Sequence, residues 1–343
     1  MTIEIEALDT LIFQDGKPFD KSSDNWGNSL VMPTPSTIYG ALRATYFANH
    51  PDELSKANES DDPTKELKIN YIALKHQDKL FFPIPKDCVD VNNKVEVLSL
   101  TENKYTNNPL KYIFTLDSEV ETIERGYLDN SNFQRYVNSK EIGSYEIEER
   151  FLIHENKIGI GLDKQRKSVK EGLLYRVDML RYKDLKIVIG FDGLEIENSG
   201  FMRLGGEGKG AFYQNIEKLK FPKIEKLTKN IFKLYCSTPT IFKNGWYPEW
   251  IDSKNNYQGE FNGVKVQLIA SSIGKYQSIG GFDIKKRRPK EMVRVVPTGS
   301  VYYFEILDNN IDTSKIIETF HLKSISEEKK EEGYGVVLVG DVK

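Results

Sequence analysis

The sequence predicts an α+β protein in two sheet-containing halves, each carrying a helix. Three observations predict it. Strand-like stretches far outnumber strong helical ones. The two segments that read as helix fall in different halves of the chain. And 343 residues at 39% apolar content suffice for one large domain or two modest ones with a sizeable core.

Taken in order, residues 3 to 13 alternate Ile3, Ile5 and Ala7 with Glu4 and Glu6, the period-two pattern of a half-buried strand. After the turn residues "QDGKPFD", Thr34-Pro35-Ser36 places a hydroxyl at an N-cap and proline at the first helical position. Ile38, Ala41, Leu42, Thr45 and Tyr46 follow at helical spacing, which predicts about four turns. From about 86 to 150 the composition shifts to Asn, Lys, Glu, Ser and Tyr with weak periodicity, and we read a polar insertion holding short local pieces such as "YIFTL" and "FQRYV". Two apolar runs then flank a very basic connection, "DKQRKSVK". "LKIVIGFDG" reads as a strand, and "AFYQNI" leaves the glycine run 203–210 as another, so that run is a turn or edge between strands. "PKIEK" at 222–226 is the best linker, dividing an N-terminal module, 1–221, from a C-terminal one, 222–343. The second module offers "IFKLYCSTPTIF", "VKVQLIASSIGKY", "VRVVPTGSVYYFEIL" and "GVVLVG" as strands and 314–320 as a short helix.

Several function classes are excluded or disfavoured. The two cysteines, Cys88 and Cys236, make no disulfide framework, and no C-x-x-C or His/Cys cluster is available for zinc. No metal or cofactor is expected. The glycine runs match neither a P-loop nor a dinucleotide fingerprint, and no G-x-S-x-G or H-E-x-x-H occurs. The start of the chain is not a signal peptide and no window is apolar enough to span a membrane, so we expect a cytoplasmic protein. A net charge of −3 gives no global positive field, so any nucleic-acid binding must be local. Of the four histidines, His50 just beyond the first helix reads either as a general base or as an isolated surface residue.

The binding features are richer. "KKRRPK" (285–290) holds five cations in six positions and "DKQRKSVK" (163–170) four in eight; each reads as a solvated loop or as part of a phosphate-binding surface. "RLGGEGKG" and "GYGVVLVG" suit either a bare main chain approached by a polyanion or a tight hairpin. The tip of the first helix, with Thr34, Ser36 and Thr37, can receive a phosphate. Arg43 either reaches the same groove or pairs with an acid of the first strand.

The ordered set "DTLIFQDGKPFD", "PTPSTIYGALRA", "GLDKQRKSVKEGLLYRVDMLR", "MRLGGEGKGAF", "VVPTGSVYYFE" and "GYGVVLVG" resembles the third-subunit family of the Cmr effector complex, RAMP proteins of type III-B CRISPR systems. The likeness covers about residues 1–50, 150–215 and 290–341. It implies two RRM-like, ferredoxin-like RAMP modules packed together. It also implies a non-catalytic role: holding the 5′ handle of the CRISPR RNA and contacting the large polymerase-like subunit and a backbone RAMP subunit. An ordinary RNP1 run is missing, so bases are not expected to stack across an open sheet in that way. The RNA-binding residues expected on this reading are Lys17, Thr34, Ser36, Thr37, Arg43, Lys164, Arg166, Lys167, Arg203, Gly205, Gly206, Lys209, Lys285, Lys286, Arg287, Arg288, Gly333 and Gly335. The glycines of 205–210 would keep the chain thin where RNA or a neighbouring subunit passes. The rivals are a RAMP endoribonuclease acting on CRISPR precursor RNA, with His50 or a tyrosine as base, and a subunit whose glycine loops dock protein alone.

Overall fold

The computed structural model describes residues 1–13, 26–27, 29–92, 94–104, 106–162, 169–283, 288–308 and 311–342. Among them strands dominate, in two large antiparallel sheets. The first sheet runs, in spatial order, Glu146–Ile147, Gly126–Asp129, Lys79–Pro83, Lys68–His76, Leu185–Asp192, Thr2–Ala7, Gly210–Asn215 and Ser199–Arg203. The second runs Ile251–Asp252, Gln258–Phe261, Val264–Ser272, Val301–Ile306, Ile231–Cys236, Val336–Asp341 and Lys323–Ser324. A long hairpin, Leu152–Leu162 with Val169–Tyr182, stands beside the first sheet.

Helix α1, Pro35–Asn49, starts where its residues dictate: Thr34 Oγ1 accepts from the Thr37 amide at 3.3 Å, and proline fills the first position. Its Ile38 and Leu42 are fully buried against Ile3 and Ile5 of the first sheet. Helix α2, Asn130–Val137, is capped by Asp129, and helix α3, Thr313–Phe320, by Asp312. Phe133, Tyr136 and Val137 of α2 lie in one core with Ala73, Leu80 and Phe82 of the first sheet and Phe232, Leu234 and Tyr235 of the second. Tyr235 Oη also donates to the Pro83 carbonyl at 2.7 Å. The two sheets therefore share a core.

Three expectations are corrected here. Residues 86–150 are no mere insertion: they supply two strands of the first sheet and α2, and bury Val95, Leu110, Ile123 and Ile142. Their periodicity is weak because their strands are only two to four residues long, too short to display a repeat. The segment 222–226 has no helix or strand, but it is pinned to α2. Gln134 Nε2 donates to the Lys223 carbonyl at 2.7 Å, the Glu225 amide donates to Asn138 Oδ1 at 2.9 Å, and Ile224 is buried. The first strand ends at Ala7, not at 13, because the chain then leaves the sheet to pair Leu11 with Leu180 of the hairpin.

On that first strand Glu4 does not face water. It is 4% exposed and accepts from Lys186 at 2.7 Å, Lys75 at 2.9 Å and Gln214 at 2.6 Å. Burial pushes its carboxyl up, but the hydrogen bonds from Lys186, Lys75 and Gln214 win and bring it down to about 2. A carboxyl depressed on folding contributes stability that is present above its unfolded pKa, near 4.5, and is lost as pH falls through about 2. Denaturant midpoints measured from pH 5 to pH 2 should fall over that window, and Glu4→Gln should flatten the fall.

The glycine hairpin answers to packing within the chain. Gly205 sits at φ +75°, ψ −163°, a region open essentially to glycine alone, and a Cβ there would stand 2.5 Å from the Ile12 carbonyl oxygen. The Gly206 amide donates to that same oxygen at 2.9 Å. Gly205→Ala should therefore cost about 1–3 kcal/mol in urea unfolding from the backbone alone; an unchanged midpoint would refute the packing role.

Candidate nucleic-acid interface

A groove of about 820 Å³ opens between the two sheets. One wall is the loop 29–34 leading into α1, with Arg125, Tyr127 and the base of the long hairpin. The other is built from the turns Thr238–Pro239, Ser272–Lys275 and Pro297–Thr298 of the second half, and Lys86 lies between them. The segment carrying Lys86 is tied to the second wall twice. Its amide donates to the Gly299 carbonyl at 2.9 Å, and its own carbonyl accepts from Ser272 Oγ at 2.7 Å. Gly274 leaves room for the lysine stem, since a Cβ there would lie 3.3 Å from Lys86 Cε and 2.9 Å from Pro297 Cγ.

The electrostatics of the groove are uneven. On the hairpin side His154 bridges two carboxylates, Nδ1 at 2.7 Å from Asp178 and Nε2 at 3.0 Å from Glu148, with Arg125 at 3.8 Å from Glu148. Burial pulls the imidazole pKa down, but the bonds to Glu148 and Asp178 outweigh it and raise it, favouring the cation that neutralises both acids. Asp178 Oδ1 is buried without a hydrogen-bond partner. Lys86, half-buried, has no ion pair among the described residues. Burial lowers its pKa while the charge of Glu124 raises it. Lys275 is exposed in the same groove. What the groove offers is one partly desolvated ammonium whose nearest counter-charge, the exposed Glu124, makes no ion pair with it among the described residues, a second lysine on the wall to which its segment is tied, and two acids, Glu148 and Asp178, already met by His154 and Arg125.

The expected residues divide. Thr34 lines the groove. Thr37 Oγ1 is 3.0 Å from Thr34 Oγ1, and Ser36 turns away, its hydroxyl donating to Glu332 and lying 3.1 Å from Tyr334 Oη. The first turn of α1 thus carries a carboxylate of its own chain where a phosphate was expected, because the positive end of a helix attracts the nearest acid. Arg43 is also corrected. It neither reaches the groove nor pairs with the first strand, but is consumed by the turn after α1, donating to Thr64 at 2.7 Å, Asn58 at 3.0 Å and Asp62 at 2.6 Å.

Gly205 and Gly206 lie against Ile12, outside the groove lining, and are packed within the chain. Lys209 is paired with Asp9 at 3.2 Å, and Arg203 is exposed on the same hairpin. Gly333 and Gly335 are likewise packed within the chain, where a Cβ would meet Ile69 Cγ2 at 2.8 Å and the Ser326 nitrogen at 2.4 Å. Arg288 is exposed in a short pairing with 282–283. Lys17, Lys164, Arg166, Lys167, Lys285, Lys286 and Arg287 lie outside the described residues.

Lys86, Arg125, His154, Asp178 and Lys275 escaped the sequence reading. Lys275 sits at the end of a stretch read as strand, and the partners of His154 are 6 and 24 residues away along the chain. Three of the ordered motifs do reach the groove, through Pro33–Pro35, Asp178 and Pro297–Thr298.

The comparisons with known proteins agree with these motifs. A family model described as CRISPR-associated protein (Cas_Cmr3) matches residues 3–342. The CRISPR system CMR subunit Cmr3 of Saccharolobus solfataricus is 24% identical over 323 residues, covering 89% of this chain and 86% of the relative. Among solved structures, a chain of the type III-B Cmr-beta complex bound to cognate target RNA matches with a TM-score of 0.56 at 20% identity, over 93% of this chain and 88% of that one. A chain of the same complex bound to cognate target RNA and AMPPnP matches with a TM-score of 0.52 at 19% identity, over 88% and 86%. These two establish the likeness of fold. The chain belongs to the Cas_Cmr3 family of CRISPR-associated proteins, the Cmr subunit family that its motifs resemble.

Proposed function

We propose that this subunit of a type III-B CRISPR effector complex is a non-catalytic scaffold that holds the 5′ handle of the CRISPR RNA in the groove between its two sheets. It would also bridge the large polymerase-like subunit to the backbone RAMP subunits, as two RRM-like modules, 1–221 and 222–343, acting in the cytoplasm. The observation that carries this reading is Lys86. A half-buried ammonium that makes no ion pair among the described residues, with only the charge of Glu124 acting on it from the groove wall, favours an incoming anion such as a phosphodiester. Thr34 and the exposed end of Lys275 offer a hydroxyl and a second cation along the same path. The basic segments with Lys164, Arg166 and Lys167 and with Lys285 to Arg288 add non-specific attraction that steers the strand, and Lys17 is a further contact on this reading. No helix among the described residues is long and apolar enough to cross a membrane.

The ribonuclease reading fares worse on the environment of His50. That residue stacks on Tyr46, with ring centroids 4.3 Å apart, and Nδ1 donates to the Tyr46 carbonyl at 3.0 Å. The cavity it lines also holds Asp192, Glu195 and Glu197, which repel a phosphodiester backbone.

Lys86→Ala with Lys275→Ala should weaken binding of handle-bearing guide RNA. The slope of log affinity on log salt should flatten by about 0.7 for each single-strand phosphate that the variant no longer neutralises. An unchanged affinity and slope would remove the groove from the RNA path. Repeat RNA incubated with the isolated protein should stay intact; cleavage abolished by His50→Ala would overturn the scaffold reading.

A further inference from the structure

The residues read from sequence as a polar insertion build a second cavity, of about 790 Å³, against the face of the second sheet. Its wall includes Ile231 and Lys233 of the strand Ile231–Cys236 and Tyr303 of the neighbouring strand. Lys233 is 2% exposed, the most deeply buried lysine among the described residues. Its stem lies flat because the residue opposite is Gly340, where a Cβ would come within 2.9 Å of both Lys233 Cγ and Cε.

The ammonium of Lys233 is incompletely served. Its nitrogen lies 3.6 Å from the centroid of the Tyr136 ring and 3.8 Å from Asp87 Oδ2. The latter distance is an ion pair but not a hydrogen bond. Asp87, itself fully buried, spends its oxygens elsewhere, accepting from Tyr136 Oη at 2.9 Å on both and from Tyr303 Oη at 2.5 Å on Oδ2. The Tyr136 ring face takes one side of the ammonium, and no oxygen or nitrogen acceptor lies within hydrogen-bond distance of it among the described residues, while the lysine and Tyr303 both line the cavity. A buried ammonium with unmet donors favours any acceptor that can reach it. Burial pulls the Lys233 pKa down, with the charge of Asp87 opposing it.

The rest of the lining matches an anion with an apolar body. Lys94, Lys140 and Lys229 join Lys233 around the cavity against Glu96 and Glu141, and Lys140 is already held by Glu225 at 3.2 Å. Lys94 and Lys229 are exposed and in no ion pair among the described residues. Between them the wall is aliphatic and aromatic, with Val95, Leu100, Tyr112 and Ile142.

We propose that this cavity binds a small organic anion whose phosphate or carboxylate head accepts hydrogen bonds from Lys233, with Lys94 and Lys229 supplying further charge and the aliphatic wall covering its body. The size is right for such a ligand, since small-molecule sites span roughly 300–1,000 Å³. The site is separate from the groove assigned to the guide strand and does not depend on that reading.

The test is thermal unfolding of the full chain without RNA, titrated at constant ionic strength with hexanoate, hexyl phosphate or inorganic phosphate. At least one of the two organic anions should raise the midpoint saturably, by about 2 °C or more at high occupancy. Which one responds identifies the head group, and a response to inorganic phosphate as well places the preference on phosphate. Lys94→Ala with Lys229→Ala should leave the unliganded midpoint in place and weaken the response about tenfold, and Lys233→Met should abolish it. If Lys233→Met fails to fold because Asp87 is left uncompensated, the double variant still decides. No saturable rise with either organic anion, or a double variant that responds like the parent, overturns the proposal.

Discussion

The groove depends on one cross-sheet strap, the glycine-rich segment 331–335. The Ile69 amide, in the first sheet, donates to the Glu331 carbonyl at 2.8 Å. The Gly335 amide donates to the Pro239 carbonyl at 2.8 Å, and Thr238 Oγ1 donates to the Gly333 carbonyl at 2.8 Å, both on a turn of the second half that lines the groove. Between these anchors Glu332 and Tyr334 meet Ser36 at the start of α1. A strap five residues long that bonds three separate elements can carry little bulk where it bends. Gly335, at φ +71° and with the Ser326 backbone in the space of a Cβ, shows the reason. The width of the groove, and the position of Thr34 within it, follow from how tightly this segment draws the two sheets together.

The charge distribution has the same economy. A chain with nearly balanced charge attracts a polyanion only where pairing is locally incomplete. In the first sheet Glu4 is met by two lysines and a glutamine, and in the turn after α1 Asp62 takes up Arg43. On the hairpin side of the groove His154 and Arg125 answer Glu148 and Asp178. Lys86 and Lys233 are buried or half-buried lysines whose ammonium groups have no hydrogen-bonding acceptor among the described residues, and each lines a cavity. Abundance of positive residues along the chain is therefore a poor guide to function here. The informative cations are the desolvated ones whose surroundings withhold a hydrogen-bonding acceptor.

Much of the framework was legible in the sequence because it is written in short-range signals. Thr34-Pro35 marks the start of α1 by capping chemistry that involves three neighbouring residues, and the strands Leu185–Asp192, Val264–Ser272 and Val336–Asp341 announce themselves as continuous apolar runs. The candidate site was less legible. Arg43 is taken up by Asn58, Asp62 and Thr64, which come from a turn with no pattern of its own. The glycines were rightly read as places of close approach, but the approaching atoms are Ile12, Ile69 and Ser326 of the same chain.

What the sequence by itself determined is the α+β character, the positions of α1 and α3, the hairpin at the glycine run and, through the order of its motifs, the family. These depend on backbone preferences and periodicities within about fifteen residues, which hold wherever the segment is placed. Only the tertiary structure decided that residues 86–150 belong to the core and that Lys86 and Lys275 face one groove. It also decided that Asp87 and Lys233 meet across 146 positions beside a cavity. Such contacts arise from the closing of one sheet on the other, and a charge acquires its meaning from the partners and solvent it loses in that closure.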